Sequence, residues 1–348
     1  MNKKDRVIVV VGPPRSGTSA ITKGLETMGV SLGNTFIPSN IFNEKGFWED
    51  ADFHGFNGFI LDFYEDRLRR ILSIDEEEAT HLLQCGYLSV ASELLSNKLS
   101  ENHLLGIKDP RFSLLLPFWR HVFNHCEVDV SFVIALRNPS NVPASHEYYK
   151  NQHYEKSLWV WISYLLSCIE YTQGTKRSVV DYDELIKNPK YQMERVAESF
   201  MLPLLPKVLR SYSCDFIDPS LRHFYEEQAS HLKNSSCYTF AFEIYEKLHA
   251  VATDRISFEE LEKSLPKWKT QFSFVKSLLL LEEKNNQSIH QLMEINENLQ
   301  TTNKDQLKTI IDLNKTIMEK FQFVAGLHQN IEQRDQHIAF LMQQQRGS

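Results

Sequence analysis

A run of apolar β-branched residues, 7–11, leads directly into a loop rich in glycine and proline. A segment that is apolar at every position is typical of a strand buried on both faces of a sheet. A helical pattern through Ile21 and Leu25 follows the loop, so backbone N–H groups and a helix N-terminus are available to an anion. This order of elements predicts an α/β fold with an anion-binding loop after its first strand.

Short apolar runs alternate with helical patterns over the first two-thirds of the chain, which indicates a mostly parallel sheet flanked by helices. Three further strands are predicted at residues 104–108, 131–136 and 178–182. Each of them ends in polar or charged residues, and open α/β sheets bind ligands beyond the carboxyl ends of their strands. We therefore expect the four strand ends to converge on one site.

The end of the chain has a different pattern, which predicts a self-associating coiled coil. Positions seven residues apart carry β-branched residues, and the positions three residues after them complete an a/d seam. The a positions are Ile310, Ile317, Val324, Ile331 and Ile338, and the d positions are Leu313, Lys320, Leu327, Arg334 and Leu341. This composition favours a parallel dimer, although the two basic d residues weaken that inference. The alternative is a long amphipathic helix packed on its own domain.

Upstream, Leu292 and Leu299 are also seven residues apart, but the step from Leu299 to Ile310 is eleven residues. We interpret this step as a stutter that locally unwinds the supercoil. The predicted organisation is a nucleotide-binding domain over residues 1–230, a helical extension over 231–270 and a coiled coil over 271–348.

Composition excludes several classes of protein. A net charge of −7 argues against a protein that coats nucleic acid or anionic membrane. The five cysteines are scattered without a CxxC pair, which favours reduced thiols over a zinc site or a disulfide framework. No apolar run reaches about 18 residues, so we expect no membrane span and a cytoplasmic protein.

The loop after the first strand has the Gly-x4-Gly spacing of a Walker A motif, but Thr18 stands where that motif requires lysine. Its sequence, Pro14-Arg15-Ser16-Gly17-Thr18-Ser19, resembles instead the 5′-phosphosulfate loop of sulfotransferases that use 3′-phosphoadenosine-5′-phosphosulfate (PAPS). That loop typically reads Pro-Lys/Arg-Ser-Gly-Thr-Ser/Thr. The resemblance implies that all six residues bind the donor. It also implies that Arg15 neutralises the bridging oxygen as sulfate departs.

A second segment completes the resemblance. Arg137 ends a predicted strand and Ser145 follows eight residues later, which is similar to the segment of the same family that binds the 3′-phosphate. An arginine fork and a serine hydroxyl are suitable donors to a phosphate dianion. Residues 216–223 resemble a late segment of bacterial carbohydrate sulfotransferases, which implies that Arg222 and His223 close over the nucleotide. The alternative for residues 216–223 is a surface turn.

Sulfuryl transfer also needs a base for the acceptor hydroxyl and cations on the developing charge. Many cytosolic sulfotransferases take a histidine from a Lys-x-His segment, but the comparable strand end in this chain is Lys108-Asp109-Pro110-Arg111. Many carbohydrate and tyrosyl sulfotransferases use a glutamate a few tens of residues after the loop helix, and residues 43–50 of this chain lie in that window. We therefore predict Glu49 as the general base, with Glu44 second and Asp109 third. We further expect Trp48 to desolvate Glu49 and raise its basicity.

Other residues near these positions have secondary roles in this prediction. Lys108 and Arg111 are expected to steady the sulfuryl group or an anionic acceptor, unless Asp109 holds Arg111 in an internal ion pair. His54 is a weaker candidate base. A set of aromatic residues would suit a sugar ring if it lines the pocket, although packing in the core is the simpler role for most of them. The set is Phe47, Trp48, Phe53, Phe56, Phe59 and Phe63.

The resemblance covers about residues 5–225 and predicts a P-loop-type α/β sulfotransferase. It implies transfer of a sulfuryl group from PAPS to a hydroxyl, with a carbohydrate or glycan as the acceptor, PAP as the product and no metal ion. Two alternatives remain. One is a P-loop kinase of a sugar or small molecule. The other is a degenerate sulfotransferase domain that serves as a coiled-coil scaffold.

Overall fold

The computed structural model describes residues 4–39, 46–63, 72–141, 154–218 and 235–346. The chain divides into two compact units, one ending at Leu280 and the other beginning at Leu281. The first unit contains a parallel sheet and its helices. The second unit is helical throughout its described length. No helix among the described residues is long and apolar enough to cross a membrane.

The described residues contain four strands, twelve α-helices and two 3-10 helices, Glu26–Met28 and Pro139–Asn141. The strands, in chain order, are β1 (Arg6–Val11), β2 (Leu104–Lys108), β3 (Asp129–Leu136) and β4 (Lys176–Asp181). The helices, in chain order, are α1 (Thr18–Leu25), α2 (Ala51–Phe63), α3 (Glu76–Gln84), α4 (Tyr87–Glu101), α5 (Phe112–His125), α6 (Tyr154–Tyr171), α7 (Tyr182–Lys187), α8 (Pro189–Phe200), α9 (Pro206–Ser211), α10 (Ser236–Ala252), α11 (Phe258–Glu262) and α12 (Leu265–Arg346). A π-helical turn, Tyr212–Phe216, continues α9.

The sheet has the strand order β2-β1-β3-β4, and every neighbouring pair is parallel. Val10 pairs with Lys108 on one side and with Val133 on the other. The carboxyl ends of β1, β2, β3 and β4 therefore lie along the same edge of the sheet, as the sequence predicts. The α/β fold and all four predicted strands are confirmed.

The end of β4 differs from the prediction by one residue. Tyr182 does not continue the strand but is the first residue of α7. The Asp181 carboxylate accepts hydrogen bonds from the backbone N–H groups of Asp183 and Glu184, which makes Asp181 an N-cap. A side chain that satisfies the first free N–H groups of a helix fixes the point at which the strand stops.

The two faces of β1 explain its continuous apolar sequence. Val7, Val9 and Val11 face one core cluster together with α5, α6 and α10. Ile8 and Val10 face the other, together with α1 and α8. Because side chains alternate across a strand, burial of both faces requires every residue to be apolar.

Helix α10 belongs to the unit that contains the sheet. Phe240, Ile244 and Leu248 are buried in the same cluster as the α5 and α6 side chains. The first turns of α12 also join this cluster through Trp268 and Phe272, so apolar residues beyond the predicted boundary at 271 are part of the core. The unit boundary at Leu280 places the predicted helical extension, 231–270, with the sheet as far as the structure describes it.

A pair of glycine substitutions tests the packing of β2. A Cβ added at Gly106 would lie 2.9 Å from side-chain atoms of Leu32 and Val30, whereas a Cβ at the exposed Gly55 of α2 would have no atom within 4 Å. We expect Gly106→Ala to destabilise the protein by about 1–3 kcal/mol through overpacking. Gly55→Ala should stabilise it by about 0.5–1 kcal/mol through the helix propensity of alanine. Urea unfolding measures the free energy of unfolding of both variants. Equal changes in the two variants would contradict the described packing.

Candidate functional site

The loop between β1 and α1 is held against two neighbouring elements. The backbone N–H of Gly12 donates to the hydroxyl of Ser113 on α5 at 2.8 Å. At Gly12, whose φ is 136°, an added Cβ would lie 2.6 Å from the carbonyl oxygen of Ala135. At Gly17, whose φ is 81°, it would lie 2.2 Å from the ring of Tyr182. Both close approaches and positive φ angles require glycine, so the loop conformation follows from its sequence.

The side chains of this loop differ in their surroundings. Arg15 is exposed and adopts a positive φ of 66°, while Ser16 is buried. The Ser16 hydroxyl has no hydrogen-bond partner in the part of the chain that the structure describes. A buried polar group without a partner is rare in folded proteins, and an anion in the loop would provide an acceptor for it. The residues present therefore fit a phosphate-type ligand.

The remaining loop residues connect this turn to its surroundings. Pro14 is partly buried, and Gly17 directly precedes α1 as its N-cap residue. Thr18, the first residue of α1, is buried. The Ser19 hydroxyl donates to the carbonyl oxygen of Phe47 at 3.2 Å, which joins the loop helix to the segment that precedes α2.

Arg137 joins this loop from the end of β3. Its Nη1 donates to the carbonyl oxygen of Arg15 at 2.9 Å, and its guanidinium lies 5.0 Å from the centre of the Tyr182 ring. The structure thus brings together two cationic segments that are more than a hundred residues apart in the sequence. The predicted partner Ser145 lies outside the described residues, as do Arg222, His223 and Glu44.

A second group of charges lies between the start of α2 and the end of β2. Glu49 Oε1 accepts a hydrogen bond from Lys108 Nζ at 2.6 Å, and Glu49 Oε2 lies 2.9 Å from His54 Nδ1. The side chains of Lys108 and Glu49 are only 2% and 8% exposed. The structure therefore brings Glu49 and Lys108, both predicted as catalytic, into a buried ion pair.

The α2 N-terminus explains why His54 reaches Glu49. Asp50 Oδ1 accepts from the backbone N–H groups of Asp52 and Phe53, which fixes the start of the helix directly after Glu49. His54 then lies at the end of the first turn of α2, within hydrogen-bond distance of Glu49. His54 was a weaker candidate in the sequence, and the N-capping aspartate was the signal that could have placed it.

Asp109 and Arg111 extend this group. Arg111 Nε donates to Asp109 Oδ1 at 3.0 Å and Arg111 Nη2 lies 2.8 Å from Asp109 Oδ2, so Asp109 does hold Arg111 in an internal ion pair. The Asn57 amide also donates to Asp109, and Trp119 Nε1 donates to Asn57. The Asp109 carboxylate is thus fixed by partners on α2 and in its own loop.

The pKa of Glu49 is lowered, contrary to the expectation that Trp48 would raise its basicity. Burial is the largest influence and acts to raise this pKa. The hydrogen bond from His54 and the positive charge of Lys108 together outweigh it. Trp48 packs instead against Phe36 and lies below the ammonium group of Lys23 at 4.3 Å. Glu49 is therefore ionised at neutral pH because of its partners.

The predicted aromatic wall divides between core and surface. Phe53 is fully buried against Phe112 and Trp119, and Phe56 packs against Trp119. Phe59 is 57% exposed, on the same helix as His54. Most of the set therefore packs in the core or against it, and Phe59 is the member most available to a ligand.

Three potential metal ligands meet in this group, although the sequence shows no ligand spacing. One ligand atom from each of Glu49, His54 and Asp109 lies within 4.8 Å of the others. Lys108 and Arg111 already contact the two carboxylates, so a divalent cation would have to displace or adjoin two positive charges. A metal ion in this donor set would therefore compete with Lys108 and Arg111 for the two carboxylates.

The Lys108–Glu49 pair yields a prediction about stability. In Lys108→Met, a buried carboxylate loses its cation, and we expect a cost of about 3–5 kcal/mol at pH 7. The substitution also removes charge and hydrogen-bond effects that lower the Glu49 pKa, so that pKa rises. The native state of the variant then takes up a proton more readily, and the cost should be smaller at pH 5 than at pH 7.

Urea unfolding at the two pH values measures this effect. Adding Glu49→Gln to Lys108→Met should recover part of the loss, because the amide carries no charge. The control is Lys263→Met, which removes an exposed ion pair with Glu260 and should change stability little. A cost for Lys108→Met that is the same at both pH values would contradict a buried, ionised Glu49.

Comparisons with known proteins give little further information. No protein-family model matches the chain, and no curated protein matches it. Among solved structures, the chain is similar to the sulfotransferase domain from the Synechococcus PCC 7002 olefin synthase, with a TM-score of 0.42 and 14% identity. The match covers 71% of this chain and 97% of that domain. A similarity this distant assigns neither family nor activity, so the functional argument depends on the site itself.

Proposed function

We propose that this protein transfers a sulfuryl group from PAPS to a hydroxyl group, with a carbohydrate as the acceptor. The observation that supports this proposal is the junction between the Arg15 loop and Arg137 at the carboxyl edge of the sheet. PAPS carries two anionic groups, a 5′-phosphosulfate and a 3′-phosphate. Two adjoining cationic segments on neighbouring strands suit a donor of that kind.

The residues of the donor site have separate tasks in this proposal. Ser16 and the N–H groups at the start of α1 donate to the 5′-phosphate, and Arg15 stabilises negative charge on the leaving group. Arg137 binds the 3′-phosphate and at the same time holds the loop through the Arg15 carbonyl. Bound PAPS supplies an activated sulfuryl group whose leaving group is the phosphate of PAP.

Glu49 and His54 together provide the base. The ionised Glu49 carboxylate accepts a hydrogen bond from Nδ1–H of His54, so that the proton of the neutral imidazole stays on Nδ1 and Nε2 carries a lone pair. The His54 side chain is 39% exposed while that of Glu49 is 8% exposed, so His54 is the member that an acceptor hydroxyl can reach. In this proposal Nε2 takes the hydroxyl proton, and Glu49 stabilises the resulting imidazolium.

Lys108 positions Glu49 in this arrangement. Its ammonium group is paired with Glu49, so a role on the sulfuryl group requires Lys108 to exchange partners when substrate binds. Burial is the largest influence on Lys108 and lowers its pKa, although Glu49 and Asp109 act in the opposite direction. The two predicted catalytic residues therefore depend on each other for their charge states.

Calorimetric titration with PAP in the absence of metal tests the donor site. We expect micromolar or tighter binding, and a loss of about 10–100-fold in Arg137→Ala, which corresponds to one hydrogen-bonded charge pair. The matched control is Arg6→Ala, because Arg6 lies on the same sheet at the opposite end of β1 and pairs with Asp129. Arg6→Ala should bind PAP like the wild type.

The same titration separates the alternatives. The cluster of Glu49, His54 and Asp109 is the structural observation that favours a P-loop kinase, because such an enzyme requires a magnesium site. Tight binding of ATP with Mg²⁺ and no preference for PAP would overturn the sulfotransferase proposal in favour of the kinase. Binding of neither nucleotide would favour the scaffold.

A second prediction separates His54 from Glu49 as the direct base. With PAPS carrying radioactive sulfur and a panel of saccharide acceptors, we expect His54→Gln to lower transfer by about 10²–10⁴-fold. PAP affinity should stay close to that of the wild type. Glu49→Gln should lower transfer as well, since it removes the acceptor that orients His54. If only Glu49→Gln loses activity, Glu49 takes the proton directly and the assignment of His54 is wrong.

A further inference from the structure

Helix α12 carries a surface that the proposed reaction does not use. From Leu281 onward, its large apolar residues are exposed, many of them by about half, as in Ile310 at 54% and Leu327 at 45%. Twenty such side chains occur in the described part of this segment. Soluble monomers rarely expose apolar surface on this scale, so the segment indicates a binding surface.

The heptad register of this surface continues further upstream than the spacing of its leucines first suggests. The step of eleven residues from Leu299 to Ile310 equals one heptad plus the ordinary four-residue step from a d position to an a position. Leu299 and Leu292 are therefore d positions in the same register as Leu313, and Ile289 is an a position. The eleven-residue step therefore needs no stutter, and one heptad register runs from Ile289 to Leu341.

Polar residues occupy the middle of this continuous seam. Asn296 and Asn303 fall on two successive a positions, and Gln306 falls on the following d position. An asparagine at an a position favours two parallel strands in register, because its partner is then the same asparagine across the interface. The apolar layers on either side have isoleucine or valine at a and leucine at d, a combination that also favours two strands.

We propose that residues 289–341 form a parallel, in-register coiled coil with a second copy of this chain. The e and g positions in this range carry one charged residue, Asp335, so they lack the charge pattern by which coiled coils select a different partner. In a parallel pair, Arg334 at d lies beside Asp335 at e of the other copy. The opposite charge of Asp335 offsets part of the free-energy cost of burying Arg334, one of the two basic d residues. The interface between the two helices is then about 80 Å long.

Sedimentation of the full chain tests the proposal. We expect twice the chain mass of 40.6 kDa at micromolar concentration. Ile310→Glu with Ile317→Glu places charge at two a positions and should give monomers. The matched control is Ile311→Glu with Met318→Glu, which adds the same charge one residue further on, at b positions of similar exposure.

The control pair should remain dimeric. A monomeric wild type, or equal dissociation of both variants, would overturn the proposed seam. A trimer or tetramer would overturn the two-stranded assignment. Circular dichroism measures the helix content of both variants, and a loss of helix in the a-position pair alone would also show that the a positions carry the stabilising contact.

Orientation needs a separate measurement. Cysteine at the d position 306 faces the same residue of the second copy only if the strands are parallel and in register. We expect Gln306→Cys to form an intermolecular disulfide under mild oxidation, in a chain whose exposed Cys85 and Cys214 are replaced by serine. Lys308→Cys, at an outward f position, should not. Failure of Gln306→Cys to cross-link in a dimeric protein would establish a different orientation or register.

Discussion

Burial of β1 on both faces is the constraint on which the rest of the sheet-bearing unit depends. Its five apolar residues are fully buried, and its backbone groups find their partners on β2 and β3. A strand in that position cannot turn until it passes the edge of the sheet. Gly12 is the first residue beyond it, and its contact with Ala135 of β3 leaves no room for a side chain. The turn between β1 and α1 is therefore a consequence of how the central strand ends.

The parallel arrangement then places functional groups from distant parts of the sequence at one edge. Arg137 follows β3, and Lys108 ends β2, so both lie near the loop because their strands flank β1. Glu49 and His54 come from outside the sheet, at the start of α2. The Ser19 hydroxyl joins α1 to Phe47, two residues before Glu49, and this contact connects the β1–α1 loop to the segment that carries Glu49.

The sequence predicts the sheet well because local patterns determine it. Leu104–Lys108 matches the prediction, and the other three strands begin one or two residues earlier than predicted. The end of β4 differs by one residue because Asp181 caps the next helix. Side-chain pairing was harder to predict. The pKa of Glu49 depends on Lys108 and His54, and the first of these is 59 residues away. A neighbour in the sequence, Trp48, was a poor guide, since its ring packs against Phe36 and beneath the ammonium group of Lys23.

The energetics of the Lys108–Glu49 pair support a chemical role for it. Burial of two charges costs free energy that their attraction only partly offsets, and apolar residues of similar volume often stabilise a protein equally well or better. Packing alone therefore does not require a lysine and a glutamate at this point of the core. A proton-accepting site does require them under the proposed mechanism. Lys108 keeps Glu49 ionised, and an ionised Glu49 holds His54 in the tautomer whose free nitrogen accepts a proton.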